Sequence, residues 1–212
     1  MGINLTGMPD WMQRVYKLVP TAEMWRANAM YVLSLAETGL QRTQPLPEHN
    51  MAMDLLERIF KLKSSAGQTT AQTLSDIQRL KGVFGQMKQL IAAINNGDQY
   101  LLESGPGHDD ANAYTYPGHW ANKTPSDGIW YVQSHIEGAT EEFIVDATIH
   151  EFAHFCGPIA GSTIGHAMVG GKPAYGNLAL GLSKADALVN ASSYAWLAYL
   201  ARKPATVWLT AT

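Results

Sequence analysis

An apolar stretch, FIVDATIHEFAHFC at residues 143–156, contains His150, Glu151 and His154, and this combination restricts what the chain can fold into. Apolar residues occur on all sides of the helix that this stretch would form, as is typical of a buried helix. Thr140, followed by two glutamates, suits the N-cap of that helix. Because buried imidazole and carboxylate groups must be paired, we predict a buried helix whose polar side chains share a specific partner.

The spacing of these residues indicates a metal site. His150 and His154 are four positions apart, so both can direct a ring nitrogen at one ion from the same helix face. Glu151 lies about 100° further round, where it borders the ion and can take a proton from a water molecule. The pattern therefore predicts Zn²⁺ with Glu151 as general base. The alternative is a chance motif in a helical interaction protein, with the histidines bonded to backbone carbonyls.

A hydrolytic zinc site needs a third protein ligand and an open position for water. After His154, the only imidazole and carboxylate side chains in the sequence are those of His166 and Asp186. Asp186 is already explained as a first-turn residue of a helix capped by Ser183. His166 lies in a glycine-rich segment that can fold back on the motif helix. We favour His166 as the third ligand and keep Asp186 as the alternative.

The remaining histidines and the single cysteine fit a metal site less well. His49 belongs to a helical part, His108 and His119 to loops, and His135 to a predicted strand, so surface or structural roles are expected. Cys156 is two positions after His154 and points away from the histidine face, as a buried thiol would.

The periodicity of the sequence changes near residue 103. Residues 1–102 predict a helical region, and residues 103–212 predict the region that carries the motif, the two forming one compact unit. The expected helices are 21–39, 47–63 and 73–97 in the first region, then the motif helix and a last helix at 183–203. Loop 103–110 and strands 111–118 and 128–137 precede the motif helix. This is an α+β fold with an N-terminal helical bundle and a small antiparallel sheet.

Composition narrows the possible partners. The chain has 15 Lys and Arg against 18 Asp and Glu and no basic block, which argues against nucleic acid or an anionic membrane as partner. No apolar run of about 18 residues predicts a membrane span, and the first 20 residues lack the features of a Sec signal. We expect a cytosolic chain, or one exported by a route that reads no N-terminal signal.

The order of these features resembles a known family. Two strands, HEFAH followed by FCG, then GGKPAYG and NASSYAW, are similar to the deuterolysin and lysine-specific metallo-endopeptidase family of aspzincins, over about residues 111–201. The resemblance implies a zincin-like zinc endopeptidase that acts on peptides or proteins bound along a strand edge. It gives His150 and His154 the role of ligands, Glu151 that of base, and Tyr175 that of a hydroxyl that stabilises the oxyanion.

Two positions depart from the family pattern. Lys172 stands where the family has its ligand aspartate, and Ser192 replaces a later aspartate. A charged lysine cannot bind zinc, so an active enzyme requires His166 or another substitute. We expect a zinc endopeptidase, and a bacterial effector or toxin if it is exported; the alternative is a catalytically inactive zincin-like binding protein.

Overall fold

The protein is mostly helical with a small sheet, which confirms the α+β class. It is described by a computed structural model over residues 4–63, 68–105, 111–117, 120, 127–157 and 163–208. Its elements are α1 (Asp10–Leu40), α2 (Pro47–Phe60), α3 (Thr70–Asn95), β1 (Leu101–Glu103), β2 (Ala113–Thr115), β3 (Ile129–Tyr131), α4 (Gln133–Ile136), α5 (Glu141–Cys156), β4 (Met168–Val169), β5 (Lys172–Pro173), α6 (Lys184–Leu188) and α7 (Ala191–Ala201), with 3₁₀ turns at Gly176–Gly181 and Ala205–Val207.

Helix α1 begins eleven residues before the predicted start at Thr21 and continues through Pro20. A proline inside a helix costs about 3 kcal/mol. The preceding turns bury Trp11, Val15 and Val19, and each such side chain contributes about 1.5–3 kcal/mol when removed from water. Burial on this face therefore outweighs the cost of the proline, and the prediction of a start at Thr21 is wrong.

Helices α1, α2 and α3 pack against the helices of the second half of the chain, α5 and α7. Helix α3 begins with a capping box, in which the Gln72 backbone N–H donates to Thr69 Oγ1 and the Thr69 N–H donates to Gln72 Oε1. Helix α1 contacts α2, α3, α5 and α7, and the buried apolar residues of both halves form one continuous cluster. The predicted division at residue 102 stays a prediction.

The sheet is mixed rather than antiparallel. Strand β3 lies in the middle, antiparallel to β2 and parallel to β1. The sequence did not predict β1, because its three residues, LLE, are too few to show the two-residue period of a strand. The predicted strand 128–137 ends at Tyr131, because the chain then forms α4, which buries Ile136. The placement of His135 in a strand was therefore wrong.

Helices α5 and α7 pack side by side and run antiparallel. His150, in the second half of α5, contacts Ser192 at the start of α7. Glu142, at the start of α5, forms an ion pair with Arg202 at the end of α7. The predicted last helix, 183–203, is two helices separated at Val189 and Asn190. Ser183 caps α6 as predicted, since its hydroxyl accepts the Asp186 backbone N–H.

Strands β4 and β5 form a hairpin that precedes α6. Gly170 and Gly171 make its turn with φ of 59° and 78°, a conformation that suits glycine. His166 and Tyr175 stand just before and just after the hairpin. None of the helices in the described part of the chain has both the length and the apolarity to cross a bilayer.

Candidate metal centre

Three histidines converge beside α5, near the start of α7. His150 and His154 come from α5 and are buried, and His166 comes from the segment before β4 and is exposed. Their nearest ligand atoms all lie within 4.8 Å of one another, and they form the cluster of metal-binding side chains found among the described residues. The three imidazoles can bind one metal ion.

Hydrogen bonds fix which ring nitrogens face the centre. His154 Nδ1 lies 2.7 Å from the Ile164 carbonyl oxygen, which only accepts, so Nδ1 carries the proton and Nε2 keeps a lone pair. His150 Nδ1 lies 3.2 Å from Ser192 Oγ, a hydroxyl that can donate or accept. Ser192 can therefore accept the Nδ1 proton and leave Nε2 of His150 as a second ligand. Such outer hydrogen bonds are usual for histidines that bind metals.

The spacing of these nitrogens suits a tetrahedral ion. His150 Nε2 and His154 Nε2 are 3.1 Å apart. Two nitrogens bound to zinc at about 2.0–2.1 Å with tetrahedral angles lie about 3.3 Å apart. The ring of His166 packs at 4.5 Å from that of His154 and 5.1 Å from that of His150, between centroids. The third imidazole therefore stands close enough to complete the set.

The protonation of the three histidines favours metal binding. Burial, with smaller contributions from the neighbouring histidines, lowers the pKa of His150 well below 6.5 and that of His154 to about 4. Burial also lowers the pKa of His166. All three rings are neutral at pH 7, and a neutral imidazole is the form that binds a metal.

Glu151 and Tyr175 border the histidines. Glu151 is buried, and burial raises its pKa to about 8. Tyr175 is half exposed, with its ring 5.1 Å from that of His166 and 5.7 Å from that of His150. Burial and the charge of Glu151 raise the pKa of the Tyr175 hydroxyl, so it stays a donor at neutral pH. A carboxyl that can hold a proton and a hydroxyl that can donate one thus lie beside the triad.

The other candidate residues lie elsewhere. Asp186 is in the first turn of α6, where it accepts the Ser183 hydroxyl, and it is outside the histidine cluster. Lys172 is exposed on β5. Cys156 is buried and also outside the cluster. His49 accepts the Leu46 N–H at the start of α2, and His108 and His119 lie outside the described residues.

A cavity of about 670 Å³ opens beside the triad, between α5, α7 and β2. Of the two strands considered from the sequence, β3 is paired on both sides, whereas β2 is an edge strand of the sheet that the described residues form and contributes Ala113 to the cavity lining. Asp146 and Trp196, which the sequence did not single out, line this cavity. The full lining is Ala111, Asn112, Ala113, Thr140, Glu142, Phe143, Asp146, Ala147, His150, Glu151, Tyr175, Gly176, Ser192, Ala195, Trp196 and Tyr199.

Ser192 contacts the histidine cluster, and the sequence did not predict this contact. It was noted only as a departure from the family pattern, although it bonds to His150 across 42 positions of sequence. The signal available was its place in a buried, otherwise apolar helix.

Comparisons with protein-family models, with curated proteins and with solved structures gave no match. The resemblance to aspzincins therefore stays a prediction.

Proposed function

We propose that the protein is a zinc endopeptidase. The observation that carries the proposal is the convergence of three neutral imidazoles beside a buried glutamate, with His150 and Glu151 lining an open cavity. Three protein ligands and one open position distinguish catalytic zinc sites from structural ones, which have four. His150, His154 and His166 would hold the ion.

In peptide hydrolysis, Glu151 and Tyr175 would have separate roles beside the metal. A zinc ion held by the three histidines would supply Lewis acidity, which lowers the pKa of a water molecule towards about 7 and polarises a carbonyl. A bound cation favours the ionised form of Glu151 over the neutral form of the metal-free site, and the carboxylate would then accept the proton of the attacking water and return it to the leaving amine. The Tyr175 hydroxyl donates a hydrogen bond to the oxygen that becomes negatively charged in the transition state.

The cavity and the β2 edge would bind the substrate. An extended peptide can add to a free strand edge through its backbone, which places its carbonyls at regular intervals along the cavity. Phe143, Trp196 and Tyr199 give the cavity an aromatic lining, which would suit a large apolar side chain of the substrate. Lys172 is exposed on β5 and is not among the residues that line the cavity, so it has no role in the proposed mechanism.

The test is hydrolysis of casein and of a fluorogenic peptide library by the zinc-loaded protein and by Glu151→Gln. We expect the variant to keep its zinc and to lose about 10²- to 10⁴-fold in turnover, as general bases contribute. Glu141→Gln is the matched control, since Glu141 is exposed in the first turn of the same helix. Equal hydrolysis by Glu151→Gln and parent would contradict the proposal. Zinc binding with no hydrolysis by the parent would favour the inactive binding protein.

A further inference from the structure

Asn190 stands at the junction between α7 and the segments that carry His166 and Tyr175. Its side chain is fully buried. It occupies the N-cap position of α7 but makes no capping hydrogen bond to that helix. An asparagine at an N-cap normally accepts the N–H of the second or third helical residue. A buried amide that does not cap its helix must find its partners elsewhere.

Those partners are the two ends of the β4–β5 hairpin. Asn190 Oδ1 accepts the backbone N–H of Ala167 at 3.1 Å, and Asn190 Nδ2 donates to the Ala174 carbonyl at 3.3 Å. The ends are also bonded to each other, since the Ala174 N–H donates to the Ala167 carbonyl at 2.8 Å. Ala167 follows His166 and Ala174 precedes Tyr175. The Asn190 amide therefore fixes the backbone next to both His166 and Tyr175.

The backbone around Asn190 holds the other side of His166. The Gly165 N–H donates to the Val189 carbonyl at 2.8 Å, and the Ala191 N–H donates to the Gly165 carbonyl at 3.0 Å. His166 is thus bracketed by hydrogen bonds from Gly165 and from Ala167 to the start of α7. The side chain of His166 is exposed although its ring contacts those of His150, His154 and Tyr175, and these backbone hydrogen bonds add to what holds the residue in place.

We infer that Asn190 is a positioning residue, which sets the His166 imidazole and the Tyr175 hydroxyl together against the two histidines of α5. The inference rests on the metal centre of the proposed function. It assigns a physical role to the asparagine of the NASSYAW segment. Loss of the amide would release the hairpin, and both the third ligand and the oxyanion donor would move.

The decisive variant is Asn190→Ser. Serine is a good N-cap, so α7 keeps its start, but the shorter side chain cannot reach both Ala167 and Ala174. We expect the Kd for zinc to rise about 10- to 100-fold, as when an outer partner of a ligand is lost. In the zinc-saturated variant, kcat should fall about 10- to 100-fold with little change in KM, because Tyr175 is displaced. Zinc affinity is measured by competition with a chromophoric chelator, at a temperature where circular dichroism shows each variant folded.

Two further variants separate positioning from general packing. Ser193→Ala removes another hydrogen-bond partner of Asn190 Nδ2, within α7 and away from the hairpin, and should leave zinc affinity unchanged. In a His166→Ala background, Asn190→Ser should cause no additional loss of zinc affinity, because its effect on the metal acts through His166. An equal loss in Ser193→Ala, or a full additional loss in the His166→Ala background, would overturn the inference.

The outcome also separates this inference from the proposed function. A parent protein that binds no zinc contradicts the proposed function itself. A parent that binds zinc and hydrolyses peptide, with Asn190→Ser equal to it in both, contradicts the positioning role alone.

Discussion

Replacement of His166 should separate metal affinity from fold stability. The side chain is exposed, so His166→Ala removes little buried surface and should change the free energy of unfolding of the zinc-free chain by no more than about 0.5 kcal/mol. Sites with four protein ligands bind zinc with about 10–16 kcal/mol, which is about 2.5–4 kcal/mol for each ligand. Because about 1.4 kcal/mol is a factor of ten, Kd should rise about 100- to 1,000-fold.

The assay is zinc competition with a chromophoric chelator, together with urea unfolding in EDTA. Asp186→Asn is the comparison, because it is the other ligand considered from the sequence. It should keep the zinc affinity of the parent and lose at most about 1 kcal/mol of stability, since its carboxylate accepts the Ser183 hydroxyl at the start of α6 and is outside the histidine cluster. Zinc kept by His166→Ala and lost by Asp186→Asn would refute the assignment.

Three other outcomes are expected. Ser192→Ala should weaken zinc binding about 10- to 100-fold by removing the partner of His150 Nδ1, whereas Ser193→Ala should not; equal affinities would refute the role of Ser192. Tyr175→Phe should lower turnover about 10- to 1,000-fold and keep the zinc, and unchanged peptide hydrolysis would leave Tyr175 a packing residue. Asp146→Asn should stabilise the zinc-free chain above pH 6 by about 1–2 kcal/mol in urea unfolding, with parent and variant converging near pH 4. The reason is that burial raises the Asp146 pKa from 3.8 to about 6, so stability is lost between about pH 4 and 6, where the carboxyl is ionised in the unfolded chain and still protonated in the folded one; parallel pH profiles would contradict it.

The helix that carries the motif could be predicted in detail because its signals are local. Thr140 caps α5 as the sequence indicates, with its hydroxyl accepting the Phe143 N–H, and the residues from Ile144 onward are largely buried. Ser183 at the start of α6 was predicted by the same reasoning. Caps and apolar spacing depend on neighbours within four positions, which a single sequence displays.

The features that the sequence did not predict depend on distant contacts. The continuation of α1 through Pro20 depends on burial against other helices, and the break at Asn190 depends on backbone bonds to Gly165. The approach of His166 to α5 was inferred by elimination among the remaining ligands, and the hairpin that brings it there has strands of only two residues. The hydroxyl of Ser192 in an apolar helix is a local signal, but its partner, His150, lies 42 positions away and is not indicated by the neighbouring sequence.

Zinc-edge anomalous diffraction from crystals grown with one equivalent of Zn²⁺ tests the central claim most directly. We expect one anomalous peak per chain, about 2.0–2.1 Å from Nε2 of His150, from Nε2 of His154 and from a ring nitrogen of His166, with a fourth position open to solvent. A peak elsewhere, or none between these three rings, would contradict the metal centre and the mechanism built on it.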